Sequence, residues 1–225
     1  MSNLTIYHGS SEIIKTPEYR KGTVYNDYGQ GFYCTEHIEL AKEWACTENT
    51  DGFVNKYEID ISSLNILNLS SEEYTILHWL ALLMNNRKVR LSTPIMKKWA
   101  QWLYENFLPD ITGYDVIIGY RADDSYFSFA RAFVNNEISL KQQSYAMRLG
   151  NLGEQFVLKS RKAFDCINFT SYEPADSTIY YTLRKARDEK ARNAFFAELE
   201  NDDADGIFMR DITREEIKPD DLRLR

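Results

Sequence analysis

The chain has 225 residues, 44% hydrophobic and 27% charged, with 10 glycines and 5 prolines, a composition that excludes disordered and fibrous classes and allows a sizeable core. Its formal charge of −7 argues against a broad basic face for nucleic-acid phosphates, leaving room only for a local groove. No apolar run approaches the ~18 residues of a membrane span, the amino end lacks the pattern of a secretory leader, and Cys34, Cys46 and Cys166 are odd in number and widely spaced, so a cytoplasmic protein with free thiols and no membrane contact is expected.

Leu4 to His8 (LTIYH) reads as a short β run, closed by Gly9, Ser10 and Ser11. A glycine turn, Gly29-Gln30-Gly31, leads into Phe32-Tyr33. Apolar residues at 38, 40, 41, 44 and 45 have helical spacing, with Thr35 as the expected N-cap. Phe53 to Ile61 alternates, as a half-buried strand does. Residues 72–84 form a strongly apolar helix. Thr93 and Pro94 cap and open the next, through Phe107. Tyr114 to Gly119 is a buried strand by its β-branched content. Two helices follow, near 123–134 and from a Ser139 cap to about 148. Glu154 to Lys159 is again a strand, and Ile167-Asn168-Phe169 the last one.

The carboxyl-terminal part differs. Ile179, Leu183, Ala186, Ala194, Phe195 and Leu199 make one helical stripe, and residues 205–225 are expected to be a short strand or extended piece. Pro174 punctuates the change, dividing 1–173 from a helical extension, 174–225. Short strands separated by helices, without βαβ alternation, predict an α+β fold. The basic runs Arg87-Lys88-Val89-Arg90 and Arg184 to Arg187 read as a solvated helix end and a solvated helix face.

Chemistry gathers near the start of the chain. His8-Gly9-Ser10 ends a strand, Phe32-Tyr33 follows the glycine turn, and Trp44 lies eleven residues after Tyr33 on a helix. If that helix packs back over the turn, Tyr33 and Trp44 face each other across a slot for a planar heteroaromatic ring, each stacking contact being worth roughly 0.5–1.5 kcal/mol beyond burial. Gly9 leaves its backbone N–H and C=O open to a carboxamide, with His8 and Ser10 as hydrogen-bonding clamps for sugars beyond the ring. A zinc site on His8, His37 and His78 fails, because no pair has helical i, i+4 spacing and no cysteine cluster accompanies them; no metal is expected.

YHGS at 7–10, GQGFYCT at 29–35 and LAKEWA at 40–45 resemble the ADP-ribosyltransferase superfamily, in particular its poly(ADP-ribose) polymerase branch. The resemblance is tight over 7–45 and loose over about 53–170. It implies split antiparallel β-sheets forming an NAD cleft, NAD as substrate, His8 on the adenosine ribose, Gly9 on the nicotinamide amide, and nicotinamide between Tyr33 and Trp44. Gly31 and Phe32 belong to the same turn. Ala41 stands where that family often has a serine. The chain also resembles an uncharacterised bacterial family on that scaffold, through DYGQGFYCT, YDVIIGYRADD and RDITREEIKP. Members often sit in operons like those of toxin–antitoxin pairs, which implies a small antitoxin partner.

The superfamily uses a glutamate at the start of a late strand to bond the ribose whose glycosidic bond breaks, where contacts to the 2-hydroxyl strengthen as positive charge grows. Matching EQFVL (154–158) to that start puts Gln155 in the catalytic place. Strand alternation separates Gln155 and Val157 from Phe156 and Leu158. A glutamine still accepts a hydrogen bond but brings no charge, so Glu154 is the alternative base. Asp123 and Asp124 serve as a helix cap or at the mouth of the site, and Arg121 as a candidate for the pyrophosphate. The resulting expectation is a mono-ADP-ribosyltransferase acting on an unknown protein or nucleic-acid acceptor. The alternatives are an NAD glycohydrolase, an NAD- or ADP-ribose-binding module without transfer, or an interaction protein docking through its helical extension.

Overall fold

The computed structural model describes residues 3–87, 89, 91–122, 124–149, 153–201 and 203–224. Strand β1 (Asn3–Ser10) pairs with β3 (Gly52–Asp60), and β7 (Ile167–Ala175) pairs with the other edge of β3, giving an antiparallel sheet ordered β1-β3-β7. A second sheet is ordered β2 (Phe32–Cys34), β6 (Glu154–Leu158), β5 (Val116–Tyr120), β4 (Ile66–Asn68). Its β4–β5 pair is parallel, which corrects the expectation of wholly antiparallel sheets. Helices α2 (Ile76–Asn86) and α3 (Pro94–Phe107) form the long crossover that a parallel pair requires.

The sheets meet at one seam. Tyr7 N–H donates to Thr35 O at 2.8 Å, and Thr35 N–H donates back to Tyr7 O at 2.9 Å. Alternate residues of both sheets, among them Ile6, Tyr57, Ile59, Val116, Phe156 and Leu158, fill the space between them. On the outer face of the second sheet, Ile117 and Val157 join a larger core with the helices. That core takes Leu80 from α2, Leu103 from α3, Phe133 from α4 (Asp124–Val134) and Ala146 from α5 (Leu140–Ala146). It also takes Phe195 from α7 (Ser177–Leu199) and Ile212 from α8 (Met209–Arg214). Helices α1 (Ile38–Ala45) and α6 (Arg161–Asp165) complete a mixed α+β fold with two sheets and, among the described residues, eight α-helices.

Local chemistry explains most of the element ends. Thr93 Oγ1 accepts Met96 N–H at 3.2 Å, with Pro94 at the first helical position, as expected. Ser139 and Gln142 close a capping box at the start of α5. His78 Nδ1 accepts Thr75 N–H at 3.0 Å, giving that histidine a structural task at the start of α2. The expected cap of α1 is corrected. His37 occupies the cap position, and Thr35 Oγ1 accepts His37 N–H from outside the helix. Residues 205–225, expected to be extended, contain α8 and a 3-10 turn (Leu222–Leu224), because Met209, Ile212 and Ile217 are drawn into the large core. The division expected at 173/174 falls inside β7, and the segment beyond it shares that core. Among the described residues, no helix is long and apolar enough to cross a membrane.

Candidate functional site

At the seam between the sheets lies a cavity of about 270 Å³ that brings together His8, Gly9, Tyr33, Trp44 and Gln155. β1 reaches it through Gly9. A Cβ there would lie 2.0 Å from Ala41 O and 2.7 Å from Ala45 N, so only glycine lets the strand run this close to α1. Tyr7 directs its backbone bonds across the seam, and by the two-residue period of a strand Gly9 turns its N–H and C=O the same way.

His8 Nδ1 lies 2.7 Å from Tyr33 O. A carbonyl only accepts, so Nδ1 carries the proton and Nε2 remains an acceptor. Phe32 stacks on the imidazole at 4.3 Å and 29°. Burial holds the His8 pKa below its ordinary 6.5, against the pull of the Tyr33 carbonyl, so the ring is neutral near pH 7. Tyr33 is fixed by its hydroxyl, which donates to Gly29 O at 2.6 Å and accepts Tyr28 N–H at 3.0 Å. Gly29 sits at φ +71°, which suits glycine in this turn. Burial pushes the Tyr33 phenol far above its usual range. The ring therefore serves as a surface and not as an acid.

Trp44 is half-buried on α1, and the Arg121 guanidinium lies 3.9 Å from its ring centroid. One face of the indole is thus already covered by a planar cation. Gln155 is 5% exposed. Its Nε2 lies 3.4 Å from Asp27 Oδ2, and its Oε1 is buried without a partner. Asp27 is held by Arg87 and by the Ala122 amide. Burial raises the Asp27 pKa, while the Arg87 charge and the Ala122 hydrogen bond oppose that rise. Arg184 reaches the same cavity from α7.

A second cavity, of about 470 Å³, shares His8, Asn26 and Tyr33 with the first and adds Gly31, Phe32 and residues 12–18. Its far wall is tied down by Asn55, fully buried on β3. Asn55 Nδ2 donates to His8 O, Ser10 Oγ and Glu12 O, while its Oδ1 accepts Ile14 N–H at 2.8 Å. Ser10 departs from the expected sugar clamp, since its hydroxyl donates to Glu12 O and lines neither cavity. Gly31 is required by packing, because a Cβ would lie 2.7 Å from Val157 Cγ1.

Glu154 is exposed and lines two other cavities beside His37, one of which also touches Gln155. Asp123, Lys88 and Arg90 lie outside the described residues. Sequence reasoning missed Asp27, Asn26 and Asn55, and took Arg87 for a solvated helix end and Arg184 for a solvated helix face. Among the described residues, no group of three or more His, Cys, Asp or Glu side chains is placed to hold a metal ion.

Fold and site together define an α+β protein whose cavity lies at the seam of two sheets. Residues 4–169 match the family described as protein of unknown function (DUF3990), and the chain belongs to that family. Neither the curated proteins nor the solved structures contain a match.

Proposed function

We propose that this protein is an NAD-dependent mono-ADP-ribosyltransferase, with the seam cavity as its nicotinamide site. The observation that carries the reading is convergence. His8 and Gly9 from β1, Tyr33 from β2, Trp44 from α1 and Gln155 from β6 line one cavity, and a larger one adjoins it across His8 and Tyr33. Two compartments sharing a wall suit a ligand with two linked planar groups. Gly9 presents a donor and an acceptor to the nicotinamide amide, His8 Nε2 accepts from a ribose hydroxyl, and Tyr33 and Trp44 offer faces to the pyridinium. Arg87, Arg121 and Arg184 favour the pyrophosphate.

In the proposed reaction the bond from C1′ of the ribose to the pyridinium nitrogen breaks and its electron pair leaves with neutral nicotinamide. An oxygen or nitrogen of the acceptor bonds to C1′ and releases its proton to solvent. With water as acceptor the same step is NAD hydrolysis. Gln155 favours a slow enzyme, because the carboxylate expected at the ribose is absent from that position. Losing one preorganised group of this kind costs roughly 10²–10³ in rate.

The test is transfer of label from NAD to a cell lysate, with nicotinamide release followed by mass spectrometry. Wild type should label an acceptor, and His8→Ala and Gln155→Ala should each reduce labelling by about 10²-fold. Equal labelling by all three proteins would place the chemistry elsewhere. The unpaired amide at Gln155 favours a second reading, binding without transfer. Calorimetric binding of NAD with no nicotinamide released on long incubation would decide for it.

A further inference from the structure

Asp27 precedes the Gly29 turn, and its side chain is fully buried. Its two oxygens meet four donor contacts. Oδ1 faces Arg87 Nε at 2.7 Å and Arg87 Nη2 at 2.6 Å. Oδ2 accepts from Ala122 N–H at 2.9 Å and from Gln155 Nε2 at 3.4 Å. An ionised carboxylate has about four lone-pair positions and no proton to give, so only a donor fits against it from β6. Gln155 must therefore turn its NH₂ toward Asp27. Its Oε1 is left buried without a protein partner, on a residue that lines the seam cavity. A buried acceptor without a partner is destabilising, and a ligand hydroxyl or N–H removes that penalty. A glutamate at 155 would set acceptor against acceptor, so Asp27 accounts for the glutamine.

We propose that Asp27 and Gln155 act as one unit, in which Asp27 is the positioning residue that fixes the amide and Gln155 Oε1 accepts a sugar hydroxyl of the ligand. This rests on the transferase reading for the identity of that sugar, the ribose bearing nicotinamide. The amide makes the hydrogen bond, and the carboxylate behind it, itself paired with Arg87, fixes the direction in which the amide oxygen points.

Wild type, Gln155→Glu, Gln155→Leu and Asp27→Asn are compared as full chains, by melting temperature without ligand between pH 5 and 8 and by nicotinamide release from NAD. When protonated, the new carboxyl of Gln155→Glu donates to Asp27 and keeps its C=O toward the cavity, as the amide does. Asp27 raises the folded pKa of that carboxyl above its unfolded value near 4.3. Its stabilising bond is therefore present at low pH and lost as pH rises through the folded pKa. Arg87, Arg121, Arg184 and His8 also face the cavity and moderate the shift without removing the carboxylate contact.

Gln155→Glu should melt below wild type at pH 8 and close on it toward pH 5. Its turnover should fall about 10²-fold at pH 8 and recover relative to wild type on acidification. Gln155→Leu should show no such recovery. Asp27→Asn sets an NH₂ against Ala122 N–H or Arg87, and below its melting temperature it should lower kcat more than it changes KM. A Gln155→Glu protein that melts with wild type at every pH, or turns over faster at pH 8, overturns the pairing. Undiminished kcat in folded Asp27→Asn overturns the positioning role. If wild type releases no nicotinamide, the transferase reading and the catalytic role fail, and the pH-dependent melting gap alone decides whether the two residues are paired.

Discussion

Two constraints converge on Gly9, which carries backbone groups toward the cavity and lies against the carbonyl of Ala41. Gly9→Ala places a methyl 2.0 Å from that oxygen, so β1 and α1 must separate. Overpacking of this kind costs about 1–3 kcal/mol, readable as a lower urea midpoint with unchanged slope. An unchanged midpoint would mean that strand and helix are not in contact. His8 offers a test in pH. Its folded pKa is below the unfolded 6.5, so on acidification the unfolded chain binds a proton first. Its contribution to stability is intact above about pH 6.5 and is lost as pH falls from there toward the folded pKa. An NMR titration of the imidazole should give a midpoint below 6.5, and a midpoint at or above 6.5 contradicts burial. These residues were legible as chemistry, since an imidazole and a glycine after a strand have few uses. The close approach to Ala41 was not, because it joins positions 32 residues apart.

Elements were read best where their signals are local. The Thr93-Pro94 start of α3, the Ser139 cap of α5 and the alternation of β3 lie within a few residues of what they determine. β4 was missed because a three-residue strand has no period of its own and its partner β5 lies across two helices. α8 was missed because its apolar residues are few and gain meaning only against a distant core. The joint between α1 and α7 is likewise nonlocal. Arg187 donates to both oxygens of Glu43, at 3.0 Å and 2.6 Å, and the Glu43 side chain is 3% exposed. Arg187→Ala leaves that carboxylate buried and unpaired, which should cost about 3–5 kcal/mol in chemical denaturation. Glu43→Leu with Arg187→Leu should cost much less, since no lone charge remains. Equal losses would assign the effect to packing.

At the scale of the whole molecule, the extension after β7 belongs to the same structure as the strands. α7 gives Ala191 and Phe195, and α8 gives Met209 and Ile212, to the core around α2, α3 and α4. A chain ending at Ala175 should therefore lose its cooperative melt, bind a hydrophobic dye and, lacking Arg184, lose the NAD binding proposed for the full chain. A truncated chain with a sharp transition near that of the full chain would show that the core closes without α7. The α+β class and the grouping of His8, Gly9, Tyr33 and Trp44 could be read in the sequence, because strand ends, glycine turns and aromatic spacing are short-range features, whereas Gln155 was reached only through the resemblance of its strand. Asp27 could not, since its partners Arg87, Ala122 and Gln155 arrive from three other segments.

The guanidinium over Trp44 has a consequence for every affinity measured at this cleft. Arg121 lies within stacking distance of the indole, so an incoming ring that uses that face exchanges places with a resident cation. The measured strength is then a difference between two contacts. Such a face prefers positive charge, so a cationic ring competes with the arginine for it better than a neutral ring of the same shape.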